Sequence, residues 1–263
     1  MDLIKTIILG IIQGLTEWLP ISSTGHLKIA EHFMNEKIPL LFDFVLHIGT
    51  LIVVLLFFRR DIKNILSALM HLDFKTEHGK LIPLIIVGSI PAGTIGIILN
   101  EPVNAAFQDI LPIAVAFVLG GIMVYSVKFA HEKNDTIGYS AAILIGAAEG
   151  IAILPGISRS GATIAVALLL GIKREKAFRF SFLLSIPAIL SVLGYNFVER
   201  PGDLASAGLG WPEILTGIIV AMFVGYFALK LLWNILGKKK FHLFAFYCWL
   251  IGTALILLSL RGF

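Results

Sequence analysis

Two short stretches of this 263-residue chain carry the side chains best placed to do chemistry. The first runs Gln13-Gly-Leu-Thr-Glu17-Trp-Leu-Pro20-Ile-Ser22-Ser23-Thr24-Gly25-His26. The second runs Glu149-Gly-Ile-Ala-Ile-Leu-Pro155-Gly156-Ile-Ser158-Arg159-Ser160-Gly161-Ala-Thr163. Gln13 and Glu17 are four residues apart and share a helix face. They could hold a divalent cation such as Mg or Ca, a hard ion that prefers oxygen ligands, with Glu149 as a further candidate ligand. In the second stretch one guanidinium, Arg159, stands among Gly156, Gly161 and the hydroxyls of Ser158, Ser160 and Thr163, just ahead of an apolar run. Backbone N–H groups at a helix start, joined by an Arg whose planar fork takes two oxygens at once, make an anion site. Ser22 and Thr24 extend the same kind of surface in the first stretch. These parts suit phosphoryl transfer, with Arg159 and the loop amides stabilising the phosphoryl oxygens. His26 could move protons near neutral pH, and Ser23 is a nucleophile if His26 or the metal activates it. Direct attack by water suits the same residues.

These groups must be positioned inside a membrane. Hydrophobic residues make up 57% of the chain and charged residues only 14%, against about 25% charged in soluble domains. Six segments read as full spans, at 41–58, 82–99, 111–128, 178–197, 212–232 and 243–260, each near the length that crosses about 30 Å of hydrocarbon. The regions 6–34 and 139–171 are apolar but broken by Glu, Pro, Ser and Gly. Each is long enough for two short helices but gives no clean span. Broken helices at membrane depth belong where they line a protein cavity, so both regions read as re-entrant hairpins. A carboxylate or guanidinium at that depth is functional by default. The single cysteine, Cys248, excludes an intramolecular disulfide and reads as a packed small hydrophobe.

The net charge of +4 does not signal nucleic acid, because the basic residues fall at helix ends. If both hairpins return to their own side, one side collects fifteen Lys and Arg and the other five, with Arg159 inside a hairpin. The positive-inside rule then places both termini outside the cytoplasm. An internal repeat agrees. Gly10-Ile-Ile-Gln13-Gly14 aligns with Gly146-Ala-Ala-Glu149-Gly150, and Pro20-Ile-Ser22-Ser23-Thr24-Gly25 with Pro155-Gly-Ile-Ser158-Arg159-Ser160-Gly161 after a one-residue insertion. Three spans follow each hairpin, so the halves, about 1–134 and 135–263, invert within a single membrane domain. The fold expected is an all-α polytopic membrane protein of six full transmembrane helices and two re-entrant hairpins in an inverted-topology repeat. The Gly10/Gly14 and Gly146/Gly150 pairs read as sites of close helix approach. Asp43 and His47, at i and i+4, border the site or form a simple interhelical pair. Arg179 reads as an interface anchor, and His71, His78, His131 and His242 as solvated.

At the two hairpins the chain resembles the undecaprenyl-diphosphatase family, also called the bacitracin-resistance protein family. The matching strings are QGLTEWLPISSTGHL (Gln13–Leu27) and PGISRSGAT (Pro155–Thr163), with weaker similarity through FDFVLHIGTL (Phe42–Leu51) and FRFSFLLSIPAIL (Phe178–Leu190). The resemblance places the family's glutamate-rich motif on Gln13 and Glu17, its histidine on His26, its serine on Ser23 and its arginine on Arg159. It implies a divalent-metal-dependent hydrolase of a polyprenyl pyrophosphate lipid in the bacterial cytoplasmic membrane, which recycles the carrier for cell-wall synthesis and confers bacitracin resistance. Glu149 stands where the family pattern suggests Gln. A homodimer is left open. The rival readings are a polyprenyl-phosphate transporter or flippase, which the inverted repeat permits, and a non-catalytic scaffold, which has little use for Glu17, His26 and Arg159.

The charge argument is directly testable. Single cysteines at Lys75, Lys239, Asn104, Ala207 and Phe263, on a Cys248→Ser background, are labelled with an impermeant maleimide in intact cells. Positions 104, 207 and 263 should react and positions 75 and 239 should be protected. Labelling at 75 or 239, or protection at all three outer positions, reverses the orientation.

Overall fold

The computed structural model describes residues 2–35, 37–199 and 210–261. Arg200, Ala207 and Phe263, which the topology argument uses, lie outside the described residues. The described residues form eleven α-helices: α1 (Leu3–Trp18), α2 (Ser23–Met34), α3 (Leu40–Phe57), α4 (Arg59–Met70), α5 (Leu81–Ala106), α6 (Ile110–Ser126), α7 (Tyr139–Ile151), α8 (Arg159–Leu169), α9 (Arg174–Glu199), α10 (Trp211–Gly237) and α11 (Phe244–Leu260). Short 3₁₀ turns follow α6 and precede α11. The chain is all-helical among the described residues, as expected.

Five stretches are long and apolar enough to cross a bilayer: Leu81–Ala106, Ile110–Phe129, Arg174–Tyr195, Trp211–Gly237 and Phe241–Leu260. The sixth expected span, 41–58, differs. It ends at Phe57 and the chain turns by 77° into α4, a helix absent from the expected set. The charged run Arg59-Arg60-Asp61 favours water over hydrocarbon at that bend. Helix α4 carries charge on Arg59, Arg60 and Lys63 while Leu66, Leu69 and Met70 stay exposed, the composition of a helix lying along an interface.

The two broken regions are helical hairpins. Helix α1 ends two residues before Pro20, and α7 ends four residues before Pro155. The ends of the second hairpin meet: the Lys133 and Asn134 amides both donate to the Gly171 carbonyl at 2.8 Å, and the Lys173 amide donates to the Asn134 carbonyl at 3.0 Å. The excursion therefore returns to where it began, and the basic loops before and after it share one face. Ion pairs knit that face together, joining Arg174 to Glu132, Lys173 to Asp135 at 2.9 Å and Lys176 to Glu77 at 2.5 Å. Arg179, expected as an interface anchor, is instead clamped between Asp61 (2.6 Å) and Glu77 (2.8 Å). Lys176 and Arg179 hold the Glu77 carboxyl below its ordinary range. His78, expected to be solvated, lies 3.6 Å from Asp61.

Each hairpin packs against a long helix from the other half of the chain, α1 on α10 and α7 on α5. Glycines make this possible. A Cβ on Gly14 would stand 2.7 Å from the Ala221 carbonyl and one on Gly10 3.0 Å from Val220. A Cβ on Gly146 would run into the carbonyl of Gly88, and one on Gly150 would meet Ile95 at 2.7 Å. Backbone thus packs on backbone, as small residues allow in membranes.

Gly146→Ala should overpack this contact by about 1–3 kcal/mol and lower the thermal midpoint of the detergent-purified protein. Gly93→Ala and Gly96→Ala, where a Cβ meets nothing within 4 Å, should leave it unchanged or slightly higher. Equal midpoints for all three variants would refute the close approach.

Candidate active site

The site forms where the hairpin tips meet. Helix α1 stops at Trp18 and α2 begins at Ser23, with Ser22 capping it; Ser158 caps α8 in the same way. Ser22 accepts from the Gly25 amide (3.3 Å) and Ser158 from the Gly161 amide (3.2 Å). Ser22 has φ 67°, an uncommon conformation for a residue with a Cβ. A second bond accompanies the strain: the Gly156 amide donates to the Ser22 hydroxyl at 3.0 Å, joining the two tips. Gly156 has φ +109°, and a Cβ there would lie 2.6 Å from the Ile113 carbonyl, so glycine suits both its conformation and its space. In return, Ser158 and Ser160 donate to the Leu19 carbonyl, each at 3.3 Å.

These bonds give the candidate substrate-binding residues a structural role. Ser22, Ser158, Ser160, Gly156 and Gly161 were expected to bind substrate through hydroxyls and loop amides. All five are buried; Ser22, Gly156, Ser158 and Ser160 tie one hairpin to the other, and the Gly161 amide bonds the Ser158 cap of its own helix. Thr163 is buried too, with its hydroxyl on the Arg159 carbonyl at 3.0 Å. Thr24 alone of that set is exposed. The scaffold leaves the first-turn amides of both helices, at Ser23, Thr24, Arg159 and Ser160, without intrahelical acceptors, as at every helix start.

The catalytic candidates converge on Glu17. Arg159 Nη2 donates to Glu17 Oε1 in a short charged hydrogen bond across 142 residues of sequence. Ser23 Oγ donates to Oε2 at 2.6 Å and Gln13 Nε2 donates to the same oxygen at 3.1 Å. The Arg159 guanidinium also lies over the Trp18 ring, 5.7 Å from its centroid, a cation–π contact. Glu149 Oε1 is 3.8 Å from Arg159 Nη1, beyond hydrogen-bond reach. His47, whose Nδ1 lies 2.9 Å from the Asp43 carbonyl and 3.6 Å from its carboxylate one turn back on α3, also stands close enough to Glu17 to border the site.

His26 is not the partner of Ser23. Its Nδ1 lies 2.7 Å from the Ser22 carbonyl and its Nε2 2.8 Å from the Tyr247 hydroxyl. The base within reach of Ser23 is the Glu17 carboxylate. Tyr247 and Trp18 were not foreseen as site residues, whereas His47 was named as a group bordering the site. Only Trp18, beside Glu17, carried a local signal.

A divalent cation fits the chemistry of the donor set. Gln13 Oε1 is a buried oxygen acceptor with no donor, as are both oxygens of Glu149. No three His, Cys, Asp or Glu gather as a metal cage among the described residues. A cation here would therefore draw on the Gln13 amide oxygen, the Glu17 carboxylate and the substrate's own oxygens, a mode typical of Mg²⁺ with phosphates.

The class follows from these features: a multi-pass membrane protein with a phosphate-handling centre within its helices. The Bacitracin resistance protein BacA family model matches residues 6–254, and the chain belongs to that family. Curated relatives named undecaprenyl-diphosphatase include those of Halothermothrix orenii (41% identical, covering 98% of this chain and 99% of the relative), Korarchaeum cryptofilum (37%, 97% and 99%) and Carboxydothermus hydrogenoformans (38%, 100% and 99%).

Adjacent serines should separate scaffold from chemistry. Ser22→Ala orphans two buried amides, each worth about 1–3 kcal/mol, and should lower the thermal midpoint. Ser23→Ala should keep the wild-type midpoint and lose turnover. A Ser22→Ala protein as stable as wild type would contradict the tie between hairpins.

Proposed function

We propose that this protein hydrolyses undecaprenyl pyrophosphate to undecaprenyl phosphate and inorganic phosphate, recycling the carrier for cell-wall synthesis and conferring bacitracin resistance. The observation that carries the reading is the Ser23–Glu17–Arg159 set between two facing helix starts, in a chain whose relatives bear the diphosphatase name. A flippase has no use for a hydroxyl held against a carboxylate, and the relatives' names give it no support.

Ser23 Oγ attacks the terminal phosphorus while Glu17 takes the hydroxyl proton. The new Oγ–P bond forms as the bond from that phosphorus to the bridging oxygen breaks, and undecaprenyl phosphate leaves. Arg159 and the first-turn amides of α2 and α8 stabilise the phosphoryl oxygens. The lipid phosphate departs as an anion, and His26, neutral at rest, takes a proton at Nε2 from the water of the next step and passes it to the phosphate released. Water then splits the phosphoserine, restoring the hydroxyl and releasing inorganic phosphate. Gln13 and Glu17 would hold a divalent cation, which when bound neutralises charge on the pyrophosphate.

The same reading gives the architecture its finer form. Helices α1–α2 and α7–α8 are re-entrant hairpins from opposite faces of the bacterial cytoplasmic membrane, in halves of inverted topology with both termini outside the cytoplasm. The meeting ends of the second hairpin, the exchange of hairpins between halves and the clustering of basic loops support it. The lipid would approach laterally with its tail in the bilayer.

Purified protein given a prenyl pyrophosphate labelled in its terminal phosphate should release labelled phosphate, and acid quenching should trap label on Ser23. Arg159→Ala, well inserted, should lose on the order of 10²-fold or more in rate. An inserted wild type that releases no phosphate sinks the function. Release without label on Ser23 at any quench time sinks the covalent step in favour of direct attack by water.

A further inference from the structure

His26 is gripped by a helix that carries none of the motif residues. Helices α6 and α11 form a tight pair: Trp249 Nε1 donates to the Val118 carbonyl at 3.2 Å, and a Cβ on Gly252 would lie 2.8 Å from the Ala114 carbonyl. This pair presents two rings to the first hairpin. Phe117, fully buried on α6, meets the His26 imidazole edge-on with centroids 5.3 Å apart, and Tyr247 in the first turn of α11 stacks on it at 5.7 Å and 16°. The next residue, Cys248, points its thiol at the Pro20 carbonyl at 3.5 Å. Tyr247 is thus anchored by its neighbours, not by the histidine it touches.

The hydrogen bonds around His26 fix its protonation pattern. A carbonyl oxygen can only accept, so the 2.7 Å contact with Ser22 puts a hydrogen on Nδ1. In the neutral ring Nε2 then bears the lone pair, and the Tyr247 hydroxyl, 2.8 Å away, donates to it. When the ring gains a proton at Nε2, that N–H can donate to the same tyrosine oxygen, because a phenol both donates and accepts. One hydroxyl therefore serves both states of the imidazole without moving. A phenylalanine would keep the stack and serve neither.

We infer that Tyr247 is the positioning residue of His26, holding the imidazole as the Nδ1–H tautomer and making Nε2 the nitrogen that gives and takes the proton during hydrolysis. The inference rests on the hydrolase reading above. It explains why an acid–base histidine can sit beside Ser23 without touching it: its working nitrogen faces α11, away from the Ser22 carbonyl. Tyr247 retains 37% of its surface exposed, so that side of the ring adjoins accessible space.

The test uses full-length protein in detergent, labelled with ¹⁵N-histidine, with the His26 signals assigned by their loss in His26→Asn. Wild type should show a protonated Nδ1 and a bare, hydrogen-bonded Nε2. In Tyr247→Phe the Nε2 resonance should move downfield toward that of a free pyridine-type nitrogen. Turnover of a prenyl pyrophosphate should fall about tenfold or more in kcat, within the range acid–base groups contribute, with KM within about twofold. A wild-type His26 protonated at Nε2 overturns the inference even if Tyr247→Phe does not fold. An unmoved Nε2 signal, or an unchanged kcat, in a folded variant also overturns it. A wild type that shows the expected spectrum but releases no phosphate overturns the hydrolase reading and leaves the pairing supported.

Discussion

A carboxylate and a guanidinium brought together inside the helical bundle govern the rest of this structure. Either ion alone in hydrocarbon is expensive, and breaking a buried pair typically costs about 3–5 kcal/mol. Glu17 and Arg159 lie 142 residues apart, so the pair exists only if two separate hairpins bring their tips together. That requirement accounts for the cross-ties. Ser22 takes the Gly156 amide, while Ser158 and Ser160 give their protons to the Leu19 carbonyl. It also accounts for the glycines, which let α1 and α7 seat deeply on α10 and α5. Hydroxyls that would suit phosphate are spent on construction because unpaired backbone groups there would have no water to bond.

The repeat shows how one scaffold was divided between two tasks. Ser22 and Ser158 occupy the same place and do the same work, each capping its helix and tying the opposite tip. One position later the halves differ: Ser23 in the first and Arg159 in the second are both first residues of their helices, and both donate to Glu17. On the proposed mechanism the first half would supply the nucleophile and its base, the second the phosphate clamp. His26 corresponds to Ala162, so the imidazole has no counterpart, and its partner comes from α11 instead. Gln13 corresponds to Glu149, and both keep buried oxygens free of donors.

The sequence made the long helices legible because their signal is local: hydropathy alone placed segments such as 82–99 and 111–128 within a few residues of α5 and α6, except where a helix ran on past its apolar core. The hairpins were legible through Pro20 and Pro155, and the shared face of the basic loops through charge. Helix α4 was missed because no apolar run marks it; its apolar positions recur on one side of a charged segment. The structural role of Ser158 and Ser160 was hidden for a different reason. A hydroxyl beside an Arg suggests a ligand in one dimension, and only the approach of Leu19 from the other hairpin shows where it bonds. Tyr247 was invisible for the same reason, being one aromatic among many in an apolar helix.

The ion pair that stabilises the hairpins also restrains the chemistry. In the resting structure Arg159, Ser23 and Gln13 all donate to the Glu17 carboxylate. A pyrophosphate reaching the two helix starts offers Arg159 more charge and more oxygens than one carboxylate can. On the proposed mechanism the guanidinium turns toward phosphate, and Glu17, relieved of that donor, takes the Ser23 proton. Arg suits this exchange better than Lys, because its fork can bond an incoming phosphate through one nitrogen while another still holds the carboxylate. Trp18 beneath the guanidinium keeps it at the same depth throughout, since a cation–π contact tolerates rotation that a single hydrogen bond does not. On that reading substrate completes the catalytic arrangement, while the resting protein keeps Arg159 and Glu17 paired.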